Sequence, residues 1–146
     1  MPQTPDDPRI AGNLMLRTLD AAARERVLTL ARPRRFARGE TLIQEGAPDR
    51  EVFLLLDGEV EVQTMQEGFI VTLNTFEPGT IFGEVAGSTG SRRTATVVAR
   101  SAGEALVFPG DALVAELRRH PTAGKLLEHI TRHRIREKQQ RTFGDD

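Results

Sequence analysis

Between Arg34 and Phe108 the chain alternates short β-rich runs with turn residues, and this rhythm limits its possible folds more than any other feature. The runs are Thr41-Leu42-Ile43, Val52–Leu56, Val60-Glu61-Val62, Ile70–Leu73, Thr94–Val98 and Ala105–Phe108. Turn residues stand between them at Gly39, Gly46-Ala47-Pro48-Asp49, Asp57-Gly58, Glu67-Gly68 and Pro78-Gly79. No run is long enough for a helix of ordinary length, and no helical period links them. Many short strands with regular punctuation predict an antiparallel barrel or roll. Asp57-Gly58, set between two apolar runs, predicts a hairpin.

Helical patterns flank this region. Leu14–Leu30 spaces its apolar residues helically, Asp20 is placed to cap a helix from 21 onward, and Pro33 closes the segment. Residues 1–13, with Pro2, Pro5 and Pro8, predict a disordered lead. After Pro109-Gly110, Asp111 is placed to cap a helix over 112–119, which His120-Pro121 ends. Thr122 is placed to cap a second helix reaching about 141, so the trailing helices occupy about 111–141. The expected fold is therefore mainly β, an antiparallel β-roll (jelly-roll-like) over about 34–108, within one domain at 14–146. A helical lead precedes the roll and two C-terminal helices follow it.

Composition narrows the function classes. The longest uninterrupted apolar run, Val52–Leu56, is far below the roughly 20 residues a membrane span needs. No signal peptide is visible, and with no cysteine a cytoplasmic address is expected. Residues 39–117 carry four basic side chains against thirteen acidic ones, a field that repels nucleic acid. An anionic ligand there depends on Arg50, Arg92, Arg93 or Arg100. His129 and His133 have helical i,i+4 spacing but no third ligand, so no metal site is expected. There is no Gly-Lys-Ser/Thr phosphate loop, no cysteine nucleophile and no serine–histidine pairing, so nothing supports an enzyme.

The unusual stretch is Ile81–Ala99, IFGEVAGSTGSRRTATVVA. A turn of small residues exposes backbone N–H groups, which suit an anion. An arginine beyond it supplies a charge-assisted phosphate partner, and Glu84 is an acceptor for sugar hydroxyls. Together they describe a sugar-phosphate site. The competing reading is a structural ion pair between Glu84 and Arg93.

Phe82-Gly83-Glu84-Val85-Ala86 followed by Arg93-Thr94-Ala95-Thr96 resembles the phosphate-binding cassette of cyclic nucleotide-binding domains. Gly39-Glu40, Glu45-Gly46, Asp49 and Gly58 resemble the domain's glycine ladder, and the likeness runs over roughly 14–140. The resemblance implies cAMP or cGMP as ligand and no other cofactor. It implies that Arg93 holds the cyclic phosphate with backbone amides around Val85 and Ala86. Glu84 would accept from the ribose 2′-hydroxyl beside the Gly83 backbone, Thr94 would reach phosphate or base, and Val62 and Leu73 would face the base. Arg134, Ile135, Lys138 and Gln139 are the candidates for the base cap, and Phe143 is the only late aromatic. Arg92 stands where many members have proline, and strand alternation turns it away from Arg93 to the surface. The common leucine after Ala86 is absent.

The 38 residues that follow Phe108 are used by the two helices, leaving no room for a winged helix-turn-helix. The expectation is a stand-alone sensor without direct DNA or membrane binding. Its last helix closes over the nucleotide and signals to an effector, or through weak homodimerisation, by residues 122–141. The alternative is a degenerate roll that acts as a protein-interaction scaffold and binds no nucleotide.

Overall fold

A computed structural model describes residues 7–143, with side chains through residue 140. The elements in order are α1 (Pro8–Ala11), α2 (Leu14–Arg17), α3 (Ala21–Thr29), β1 (Arg32–Phe36), β2 (Thr41–Ile43), β3 (Val52–Asp57), β4 (Val60–Gln66), β5 (Phe69–Phe76), β6 (Ile81–Phe82), α4 (Glu84–Thr89), β7 (Thr96–Ala99), β8 (Gly103–Phe108), α5 (Gly110–Arg118) and α6 (Pro121–Phe143). The strands form two four-stranded antiparallel sheets, ordered β1-β8-β3-β6 and β2-β7-β4-β5. This is the expected roll, with a helical lead before it and α5 and α6 after it.

The run Val52–Leu56 reads as unbroken apolar sequence because β3 is buried on both faces. Phe53 and Leu55 point into the roll, among Phe36, Phe76, Phe82, Val97 and Val107. Val52, Leu54 and Leu56 point outward into a second core, built with the helices from Leu16, Val27, Leu113, Leu117 and Leu127. Each such side chain contributes about 1.5–3 kcal/mol by leaving water. The helices are thus bolted to the outside of the sheet whose other face backs the roll interior.

Several local expectations change. The lead is ordered from residue 7: Asp7 caps α1, Ile10 is fully buried, and Asn13 caps α2 while its Nδ2 donates to the Gly79 carbonyl at 2.7 Å. Burial of Ile10 outweighs the local proline content; residues 1–6 lie outside the described residues. Asp57-Gly58 is a corner between the sheets, because β3 pairs with β6 and β8 while β4 pairs with β5 and β7. The two-residue hairpin turn is Glu67-Gly68, with φ of 52° and 84°. Pro33 lies within β1, a sheet edge, where its missing N–H faces no partner strand.

The helix caps are mixed. Asp20 caps α3 as expected, its Oδ1 accepting from the Ala23 amide at 2.8 Å. Asp111 instead lies inside the first turn of α5, with Pro109 at the cap position. Helix α6 begins at Pro121 itself, ahead of Thr122, and a missing amide hydrogen does no harm at a first helical position.

Candidate functional site

The site is built where β6 ends. Gly83 takes φ 88°, a left-handed conformation, and turns the chain directly into the short helix α4. A Cβ there would lie 2.8 Å from the Glu51 carbonyl oxygen and 3.1 Å from Arg93 Nη1. Glycine is therefore required both by backbone angle and by space. The turn places Glu84, Val85 and Ala86, all buried, at the start of α4, despite the small residues that follow them.

Arg93 is 4% exposed and lies in the loop before β7, which begins at Thr96 rather than Thr94. Its Nη2 donates to Asp49 Oδ2 at 2.8 Å and to the Glu51 carbonyl at 2.6 Å. Nη1 donates to the Gly83 carbonyl at 2.8 Å, and Nε to Asp49 Oδ2 at 3.3 Å. With five N–H groups on a guanidinium, one Nη1 hydrogen is left for another acceptor. Arg92 is exposed and donates to the Gly46 carbonyl at 3.1 Å, so the two arginines do separate as surface and interior.

Glu84 does not pair with Arg93. Its side chain is 2% exposed, and its Oε1 accepts from Arg134 Nη1 at 2.8 Å. Oε2 accepts from the Val85 amide at 3.0 Å. Burial raises the Glu84 carboxyl above its ordinary value, opposed first by the charge of Arg134 and more weakly by that of Arg93. Arg134 also donates to the Ile81 carbonyl at 3.1 Å and lies 4.3 Å from the Phe76 ring centroid.

A cavity of about 60 Å³ remains among these groups. Its walls bring together Gly83, Glu84, Val85, Ala86, Arg93, Thr94, Val62 and Leu73 with Arg134 and Lys138 of α6. Ile135 and Gln139 line an adjoining groove beside the β4–β5 hairpin, which shares Thr94 and Lys138 with the cavity. The side chain of Phe143 lies outside those described. Among the described residues, no group of three or more His, Asp or Glu side chains could hold a metal ion. No helix among them is long and apolar enough to cross a membrane.

Sequence reasoning gave no site role to four participants. Asp49 is the carboxylate that holds Arg93; its residue type beside a glycine turn suggested only punctuation. Phe76 and Phe82 form the apolar floor, with ring centroids 6.0 Å apart. Glu137 lines the cavity mouth, held by Asn74 Nδ2 at 3.1 Å. Its only signal is the helical step of three from Arg134, which places both on one face of α6.

The chain is similar to known proteins in sequence and in fold. The chain is 32% identical over 84 residues to the cAMP-dependent protein kinase regulatory subunit of Mycosarcoma maydis, which is 58% of this chain and 16% of that one. It is 34% identical over 92 residues to the cyclic nucleotide-gated channel beta-3 of Canis lupus familiaris, 61% of this chain and 12% of that one. It therefore spans only a small part of these curated relatives. Among solved structures, the catabolite activator protein of Thermus thermophilus superposes with a TM-score of 0.73 at 25% identity, covering 86% of this chain and 59% of that one. The family model described as Cyclic nucleotide-binding domain matches residues 33–120. With the glycine turn, the buried Glu84 and the buried Arg93 all inside that match, the chain belongs to the cyclic nucleotide-binding domain family.

Proposed function

We propose that the chain is a regulatory, non-catalytic sensor that binds a cyclic nucleotide, with cAMP as the first ligand and cGMP as the second to be tested. The observation that supports it best is the convergence of Glu84 and Arg93, both buried, on one cavity under α6. A buried guanidinium with an unused N–H suits the exocyclic phosphate oxygens, joined by amides at the start of α4 around Val85 and Ala86. Glu84, beside the Gly83 backbone, accepts from the ribose 2′-hydroxyl. Thr94, half-buried, reaches phosphate or base, and Val62 and Leu73 face the base. Arg134 and Lys138 contribute from α6. No metal or prosthetic group enters the proposal. The preference for cAMP rests on the kinase regulatory subunit among the relatives, which is named for it.

The cavity of about 60 Å³ is smaller than an ordinary ligand pocket, so a nucleotide there would extend into the adjoining groove past Thr94 and Lys138 or displace α6. Ligand contacts that differ between the two positions of α6 would then shift its docking, and residues 122–141 would carry the signal to an effector or a second copy. A dye-monitored thermal melt with cAMP, cGMP and 5′-AMP tests the reading. At 100 times Kd a ligand stabilises by about 2.7 kcal/mol. For a domain of this size that raises Tm by roughly 5–10 °C. A rise with a cyclic nucleotide and none with 5′-AMP is expected. No rise with either cyclic nucleotide favours the scaffold reading.

A further inference from the structure

The groove beside the cavity is the larger space, about 600 Å³ against about 60 Å³, and Thr94 and Lys138 line both. We propose that Glu45, in the turn after β2, is a specificity-determining residue for the base. Its carboxylate accepts a hydrogen bond from the 6-amino group of an adenine seated in this groove. This rests on the cyclic nucleotide reading and deepens it.

The backbone sets Glu45 beside the arginine assigned to the phosphate. The Gly46 amide donates to the Arg93 carbonyl at 2.9 Å, and the Arg93 amide donates to the Ala47 carbonyl at 2.9 Å. The Glu45 amide is held in turn, donating to Thr96 Oγ1 at 3.0 Å. A ribose-phosphate on Glu84 and Arg93 fills the small cavity, so the base extends past Thr94 into the groove. Charge favours that orientation. The charged side chains lining the groove are Glu45, Glu67 and Lys138, two carboxylates against one ammonium. That surplus repels a phosphate and suits the N–H donors of a base.

The Glu45 carboxylate is fixed and still has room for a donor. The Thr64 hydroxyl lies 2.9 Å from Oε1 and 2.8 Å from Oε2, and the Met65 amide donates to Oε1 at 3.2 Å. Lys138 Nζ donates to Oε2 at 3.4 Å. A carboxylate has about four acceptor positions, and one hydrogen each from Thr64, Met65 and Lys138 occupies three of them. Thr64 is 2% exposed, whereas the Glu45 side chain is 27% exposed and borders the groove. An acceptor already held in place loses little freedom when a ligand arrives. Adenine brings a 6-amino donor to it, and guanine brings a 6-carbonyl oxygen to the same place. One base is attracted and the other repelled, which are the two halves of discrimination.

The test compares cAMP with purine riboside 3′,5′-cyclic phosphate, the same ligand without its 6-amino group, by calorimetry on wild type and Glu45→Met. Wild type should prefer cAMP by about tenfold or more, the scale of a hydrogen bond to a charged group. In Glu45→Met that preference should fall towards unity, because cAMP loses affinity and the deaminated ligand does not. The preference for cAMP over cGMP should shrink in the same variant. If the Met variant does not fold, Glu45→Gln takes its place. Its neutral acceptor should lower the cAMP preference by about threefold, since charge-assisted hydrogen bonds are roughly twice as strong as neutral ones. A purely structural role weakens both ligands alike, so an unchanged ratio in the folded variant overturns the proposal. Wild type that binds cGMP more tightly than cAMP overturns it too, as does cAMP binding with no preference over the deaminated ligand. Binding of neither cAMP nor cGMP by wild type overturns the cyclic nucleotide reading itself, and this proposal with it.

Discussion

At the scale of single residues, the site depends on contacts that only certain side chains can make. Gly83 is the sharpest case, because its φ of 88° and the Glu51 carbonyl 2.8 Å from a would-be Cβ act together. Gly83→Ala should lower stability by about 1–3 kcal/mol, read as a shift in urea midpoint, since a non-glycine residue in that conformation carries strain of this order. A substitution that leaves the midpoint unchanged would show that the turn relaxes freely. The types of these residues were legible in the sequence: Gly83, Glu84 and Arg93 stand within the stretch that resembles the phosphate-binding cassette. Their partners were not, because Asp49 lies 44 positions from Arg93 and Arg134 lies 50 from Glu84, and only the fold brings them together. The ion pair considered for Glu84 and Arg93 is replaced by two separate pairs for that reason.

At the scale of elements, α6 is held mainly by its small and apolar stripe, Ala123 and Leu127, which is buried beside α5 and the outer core. Thr131 continues the stripe at 4% exposure, and its hydroxyl has no hydrogen-bond partner among the described residues. An unpaired buried hydroxyl costs about 1–3 kcal/mol, and a valine of similar shape removes that cost. Thr131→Val should therefore stabilise the protein by about 1 kcal/mol in chemical denaturation. A loss of stability would mean that the hydroxyl finds a partner, such as water. Elements with a strong period or a clear cap were legible, α3 behind Asp20 being an example. Those decided by distant burial were not. Pro8 and the residues around it look like a tail until Ile10 is seen in the core. Asp57-Gly58 marks a turn correctly, but only pairing with β6 and β8 decides that the turn is a corner.

At the scale of the whole molecule, two cores share the sheet containing β3, one inside the roll and one under the helices. Helix α6 reaches the cavity through Arg134, Glu137 and Lys138, and Arg134 also packs on Phe76 of the roll's interior. Residues 39–117 are strongly acidic, and the proposed anion partner within them is the buried Arg93. Calorimetric titration of cAMP and cGMP into wild type and Arg93→Ala, with both proteins shown to be folded, tests the central claim most directly. Micromolar or tighter binding by wild type, weakened at least about tenfold in the variant, is the predicted result. Heat of binding from neither nucleotide in folded wild type, or equal affinity in both proteins, would contradict it.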